Sequence, residues 1–237
     1  MNVSDRGTLD KARQLLGECV LFRGLSPKDR SDLVARARIR NFQSSETIFL
    51  MGASGDSMMA VLDGNVRISV PSPEGKEIVL AIIQPGEVFG EIAVLDGKER
   101  TAEATAMTDC TLAILERRDV MGFLETNPTG WPRLVDLLCA RLRHSDRQIA
   151  EMAFLQLPVR LAKALLRMAD MAAGLAGARA GARIRLTQRE LGNIVGMTRE
   201  SVNKCLREWQ RKGVIKIEDN EIVIVKRDQL ENVAHTE

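Results

Sequence analysis

The sequence predicts an α+β chain: an N-terminal antiparallel β-roll of jelly-roll type, one long helix, and a C-terminal winged helix-turn-helix. Three observations carry this reading. Between Asn41 and about Glu116, short apolar runs alternate with glycine-marked turns. Between Trp131 and about Ala153, apolar side chains recur in heptads. From Thr187 onward, two amphipathic stretches meet at Gly196 and lead into strand-like sequence. The expected divisions are 1–128 for the roll with its N-terminal helices, 129–156 for the long helix and a hinge, and 157–237 for the winged unit.

Composition suits this plan. With 45% hydrophobic and 28% charged residues, 237 residues support a real core and two ordinary domains. Tyr is absent and aromatics total 3%, so Leu, Ile, Val, Met and Ala must fill the interior. The net charge of +2 implies no partner, but Arg183 to Lys212 holds eight basic residues against three glutamates. That excess suits a polyanion or an ordinary solvated helix face. No apolar run is long enough to span a bilayer and no signal-peptide core is present, so a cytoplasmic location without a membrane partner is expected. Cys19, Cys110, Cys139 and Cys205 are too scattered for a metal or iron–sulfur motif, and His144 and His235 are the only histidines. Neither a metal, an iron–sulfur cluster nor a haem is expected.

Residues 8–37 read as helical, with Ser26 as N-cap ahead of Pro27. The roll follows as "ETIFLM", "SMMAVLDG", "NVRISV", "EIVLAII" and "CTLAILE". Asp63-Gly64 signals a hairpin, and Pro85-Gly86 a further turn. One stretch, "FGEIAVLDGKERTA", interrupts the strand pattern with a single helical turn beginning at Gly90-Glu91. A polar surface loop could carry the same residues. A pocket for a small phosphorylated sugar would use each of them. Gly90 lets backbone approach, the helix start offers N–H groups, Arg100 adds a charged fork and Thr101 a hydroxyl. Glu91 would accept from sugar hydroxyls.

The long helix carries Trp131, Val135, Leu138, Leu142, Ile149 and Met152 along one seam, with the polar Ser145 inside it. Such a seam faces a second helix, which predicts a homodimer built on Val135, Leu138, Leu142, Ile149 and Met152. Ser145 either sets register or hydrogen-bonds a ligand lying against the seam, with Asp146 beside it. "FLQLPV" should break the helix near Phe154–Pro158 as a hinge. A helix over roughly Val159–Met171 and a loop in the Ala/Gly-rich "AAGLAGARAGA" follow.

The most specific segment is "LTQRELGNIVGMTRESVNKCLREWQRKGVIKI". Thr187 caps a helix opening at Gln188, Gly196 makes the turn, and Thr198 caps a second helix. Leu191, Ile194, Val195, Val202, Leu206 and Trp209 lock the pair together. Arg199, Glu200, Asn203 and Lys204 then lie where base edges of DNA would be read, and Thr187, Gln188, Thr198 and Ser201 complete the expected DNA-contacting set. Two strands around Asp219-Asn220 form the wing.

Taken in this order, the two motifs and the joining helix resemble the Crp/Fnr family of bacterial transcription regulators over roughly residues 15–227. "FGEIAVLDGKERTAEATA" is similar to the family's phosphate-binding cassette, and "RELGNIVGMTRESVNKCLRE" to its DNA-reading unit. The resemblance implies a cyclic nucleotide in the roll, held by a cassette that includes Gly90, Glu91 and Ile92. Glu91 would hold the ribose 2′-hydroxyl, and Arg100 and Thr101 the cyclic phosphate. Ser145 matches a seam hydroxyl that contacts the adenine amino group. Asp146 falls where cAMP-binding members can have a second hydroxyl, supplied by the partner subunit. cAMP is the implied effector, and Thr101 makes cGMP its competitor. Double-stranded DNA with a near-palindromic operator and RNA polymerase are the implied partners. Two rivals stand beside this: a Crp/Fnr-type DNA binder that is constitutive or answers another effector, and a nucleotide sensor acting through protein partners. No motif supplies a nucleophile with its base, or a metal with its ligands, so an enzyme is not expected.

Overall fold

The computed structural model describes residues 27–73, 77–176, 183–218 and 221–235. The expected Ser26 cap, Cys19 and the Asp219-Asn220 turn lie outside these residues. Contacts group the described chain into two units. One holds the residues up to Ser72 with Val79–Arg143, and the other holds Pro73–Ile78 with the chain from His144 onward.

The first unit begins with helix α1 (Pro27–Arg36) and continues through strands β1 (Arg38–Phe42), β2 (Thr47–Phe49), β3 (Ser57–Asp63), β4 (Val66–Pro71), β5 (Glu77–Ile83) and β6 (Val88–Phe89). The short helix α2 (Glu91–Asp96) is followed by β7 (Glu103–Ala106), β8 (Cys110–Glu116) and helix α3 (Arg117–Thr126), the last not foreseen. Helix α4 (Gly130–Phe154) starts within this unit. The strands form two four-stranded sheets, ordered β1-β8-β3-β6 and β2-β7-β4-β5.

Strand β3 shows why the roll has two cores. Its side chains alternate between faces, and both faces are covered. Met59 and Val61 point into the roll with Phe42, Val66, Phe89 and Leu112. Met58, Ala60 and Leu62 join Leu33, Val94, Val120, Leu124 and Leu134, which the helices bring to the outer face. The turns correct one expectation. Asp63-Gly64 does not close a hairpin, because β3 and β4 belong to different sheets, and Pro85-Gly86 likewise joins β5 to β6 across the roll. A tight glycine turn reverses the chain in either case; its sequence does not say which sheet receives the next strand.

The second unit contains the rest of α4, then helix α5 (Leu157–Ala176), strand β9 (Arg183–Arg185), helices α6 (Gln188–Val195) and α7 (Arg199–Arg211), strands β10 (Ile215–Glu218) and β11 (Glu221–Ile224), and helix α8 (Arg227–Ala234). The sheet order is β10-β11-β9. Its core gathers Leu161, Leu165, Ile184, Leu191, Val202, Leu206, Trp209, Ile215 and Leu230. Only Leu155 and Gln156 separate α4 from α5. Pro158 lies inside α5, contrary to expectation, because the first helical turn needs no N–H from it. Helix α5 also runs past Met171 to Ala176, into the sequence read as loop; residues 177–182 lie outside the described residues. Strand β9 and helix α8 were not foreseen. Among the described residues, no helix is long and apolar enough to cross a membrane.

Candidate functional sites

In the roll, β6 ends at Phe89 and Gly90 turns the chain into α2 with φ 79°. A side chain there would be strained, and its Cβ would lie 2.6 Å from Arg100 Nη1 and 3.3 Å from Ser57 O. The left-handed backbone is what favours glycine here, since the tip of a long side chain such as Arg100 can yield. The next residue, Glu91, is 1% exposed. Its Oε1 accepts from Arg141 Nη1, and Arg141 Nη2 donates to Val88 O. Its Oε2 is buried without a partner.

Arg100 is 5% exposed. Nη1 donates to Gly90 O at 2.9 Å, and Nη2 donates to Ser57 O at 2.6 Å and Ser57 Oγ at 3.2 Å. The guanidinium lies over the Phe49 ring, 4.3 Å from its centroid. Burial pulls the Arg100 pKa below its ordinary value, while the carboxylates of Asp56 and Glu91 act the other way. An arginine so placed stays charged.

This donor set has a definite chemical demand. An unpaired buried acceptor costs about 1–3 kcal/mol, so Glu91 Oε2 calls for a donor such as a hydroxyl. The buried Arg100 cation calls for an anion. A ligand carrying both groups fits the residues present.

Other expected members are exposed. Thr101 and Ile92 are exposed beside the cluster. Ser145 and Asp146 are exposed on α4, among the residues of the other unit. Arg141, Ser57 and Phe49 were missed. Arg141 is one of several arginines on a polar helix face, and nothing in its spacing marks it out.

The seam residues Val135, Leu142 and Ile149 are exposed on α4, Ile149 to 65%. Leu138 and Met152 are half-buried. Met152 differs from the rest: it lies beside Ile194 and Val195, and its methyl group would be 3.5 Å from a Cβ at Gly196. It packs on the helix pair.

The helix-turn-helix is assembled locally. Thr187 Oγ1 accepts from Glu190 N at 3.2 Å, and Glu190 Oε2 accepts from Thr187 N at 2.7 Å, which closes a capping box. Gly196 ends α6 with φ 65°. Thr198 Oγ1 accepts from Ser201 N at 3.3 Å and lies 3.1 Å from Ser201 Oγ. The hydroxyls of Thr187, Thr198 and Ser201 are thus engaged in holding helix ends. Gln188 is half-buried in the first turn of α6.

Val202, Cys205, Leu206 and Trp209 bury one face of α7. The opposite face presents Glu200, Asn203, Lys204, Arg207, Gln210 and Arg211, with Arg199 exposed at the helix start. Arg207, Gln210 and Arg211 extend the expected DNA-facing surface; the helical spacing from Glu200 would have found them. The Glu200 carboxyl is held below its usual range by its own amide N–H, then by the Thr198 hydroxyl and Arg199. Burial and Glu208 push the Cys205 thiol up to about 11, which suits a core residue. Among the described residues, no group of three or more His, Cys, Asp or Glu could hold a metal ion.

Comparison with known proteins gives both sites a context. Residues 39–127 match the cyclic nucleotide-binding domain and residues 159–233 the Crp-like helix-turn-helix domain. The cyclic AMP receptor protein of Thermus thermophilus is 30% identical over 214 residues, 90% of this chain and 96% of that one. The chain belongs to the Crp/Fnr family of transcription regulators.

A second Crp/Fnr relative is the CRP-like cAMP-activated global transcriptional regulator of Mycobacterium tuberculosis. It is 29% identical over 217 residues, 92% of this chain and 97% of its own length. Among solved structures, a CRP/FNR-family regulator from Thermus thermophilus aligns with a TM-score of 0.70 at 28% identity, covering 84% of this chain and 99% of that one. The c-di-GMP-responsive regulator CLP of Xanthomonas campestris aligns with a TM-score of 0.73 at 21% identity, covering 83% and 98%. At that identity the likeness concerns the fold alone. As a Crp/Fnr protein, this chain is a Crp-like cyclic-nucleotide-binding transcription regulator with a DNA-binding helix-turn-helix. The nucleotide-binding match contains Gly90, Glu91, Arg100 and Thr101, and ends before Arg141.

Proposed function

We propose that this Crp/Fnr regulator acts as a homodimer, responds to cAMP and reads a near-palindromic DNA site. The observation that carries the nucleotide reading is the juxtaposition, around Gly90, of a buried acceptor without a partner and a buried cation. When bound, a cyclic nucleotide supplies a ribose hydroxyl that donates and a phosphate that carries negative charge. Glu91 Oε2 accepts from the hydroxyl. Arg100, with the exposed Thr101 hydroxyl beside it, holds the anion, while Gly90 and Ile92 border it. By the family resemblance, Ser145 and, in the second copy, Asp146 select the base; both are exposed on α4. Thr101 favours guanine as the alternative base, so cGMP is the competing ligand.

The exposed Val135, Leu142 and Ile149, with Leu138, support pairing of α4 with its counterpart in a second copy. Two copies of α7 on a dyad would enter half-sites about one DNA turn, roughly 34 Å, apart. Arg199, Glu200, Asn203 and Lys204 read bases, and RNA polymerase is the partner that turns binding into regulation. The effector works through differential affinity: moving the equilibrium from 1:99 to 99:1 takes about a 10⁴-fold preference for the active state.

Calorimetric titration of nucleotide-stripped protein with cAMP and with cGMP tests the reading. The expected result is binding at one site per chain with a Kd of about 1 μM. Arg100→Ala should lose it, at a cost of about 2–5 kcal/mol for breaking a buried charged contact. Nucleotide-dependent operator binding by Arg100→Ala would sink the pocket assignment. An absence of heat with folded, dimeric protein would favour a different effector.

A further inference from the structure

Phe49 ends β2, at a point where the register with β7 shifts between Thr47 and Phe49. Its ring rests against Phe89, with centroids 5.9 Å apart and planes tilted by 34°. The Arg100 guanidinium lies on the ring face at 4.3 Å. Carbonyl oxygens hold the edge of the same guanidinium, Gly90 O at Nη1 and Ser57 O at Nη2. These restraints act on different degrees of freedom. The two hydrogen bonds fix rotation within the guanidinium plane, and the aromatic face fixes the plane itself. A ring also offers a cation its negative quadrupole without offering a competing anion. A carboxylate at the same place would neutralise the charge that a phosphate needs.

We propose that Phe49 is a positioning residue of the anion site, setting the plane of Arg100 so that its charge meets the nucleotide phosphate without reorganisation. This rests on the reading that Arg100 binds the nucleotide. Phe49 also packs with the roll core, so a purely structural role is the competing account. The two accounts separate when the ring face is removed but apolar volume is kept. Phe49→Leu does this, and Phe49→Tyr restores the face.

The test is cAMP titration of the full-length protein, with thermal melting of each nucleotide-free variant as the folding control. Phe49→Leu should weaken cAMP by about 3- to 30-fold, the range expected of a cation–π contact. Phe49→Tyr should stay within about threefold of the parent. In an Arg100→Lys background, Phe49→Leu should cost less than about threefold, because an ammonium has no plane to orient. If Phe49→Leu melts far below the parent, Phe49→Met takes its place under the same criterion, since Met fills irregular core space. Unchanged affinity in Phe49→Leu, equal loss in Phe49→Leu and Phe49→Tyr, or additive losses with Arg100→Lys would each overturn the positioning role. Arg100→Ala separates the two levels. If it binds cAMP normally, the reading of Arg100 falls and the role of Phe49 with it. If it loses cAMP while Phe49→Leu does not, only the role of Phe49 falls.

Discussion

In the roll, Arg141 reaches Glu91 across fifty residues of sequence, and Arg100 reaches Ser57 across forty-three. In the winged unit, Thr187 caps the Glu190 N–H and Thr198 the Ser201 N–H, each only three residues away. Both regions place polar groups with care, but by opposite means. The reading helix needs only its own caps and an apolar face, so its polar side points outward by helical geometry. The roll site must bring charges from β6–α2, the segment before β7, and α4 into one buried cluster, and it depends on every element that carries them. The first design should tolerate single changes. The second should not.

Removing one partner from the roll cluster therefore has the largest expected effect. Arg141→Met leaves the Glu91 carboxylate buried without its cation. Arg141 keeps 31% of its side chain in solvent, so the cost should fall at or below the low end of the range for broken buried pairs, about 2–3 kcal/mol. Urea unfolding of the nucleotide-free protein measures it; a shift under about 0.5 kcal/mol, the scale of an ordinary surface change, would remove Arg141 from the cluster's support.

Next comes the reading face. Lys204→Ala should cost about 1–3 kcal/mol on a specific operator if it contacts a base. Arg207→Ala should weaken all sequences alike and reduce the salt slope by about one. Anisotropy titrations on operator and unrelated DNA at several salt concentrations separate the two. Equal losses on both DNAs for Lys204→Ala would make it a phosphate contact.

A smaller change is expected at the local caps. Thr187→Ala should cost about 1 kcal/mol of stability, because only one end of a short helix loses its partner. A loss as large as that of Arg141→Met would break the contrast between the two regions.

The mildest effect concerns acid. Glu221 on β11 accepts from Arg183 Nη1 at 2.9 Å and from Arg185 Nε across the sheet from β9. Those contacts hold its carboxyl below the ordinary value of 4.5. A depressed carboxyl adds stability above its unfolded pKa and loses it as pH falls through the folded value. The melting temperature of the parent should therefore fall more steeply than that of Glu221→Gln once the pH drops below about 4.5. Parallel slopes would mean that this bridge contributes nothing to the wing's stability.

Legibility followed the same division. The caps at Thr187 and Thr198, the turn at Gly196 and the buried stripe through Val202, Leu206 and Trp209 were all readable, because each signal lies within one or two helical turns. Glu91 and Arg100 were readable as a pair because a short helical turn between strands sets them close in sequence. Their surroundings were not. Asp63-Gly64 carried the letters of a hairpin yet joins two sheets, and β9 was too short to show a period. Met152 fits the heptad but packs beside Gly196.

The sequence by itself determined the order of roll, long helix and winged unit. Hydrophobic period, glycine turns and caps act over a few residues, and a chain cannot hide them. Only the tertiary structure decided that Glu91 is paired with Arg141, that Arg100 lies on Phe49, and that one Glu91 oxygen is left without a donor. Those facts depend on which strands share a sheet and on where α4 crosses the roll. Burial turns such placements into energy, and burial belongs to the assembled fold.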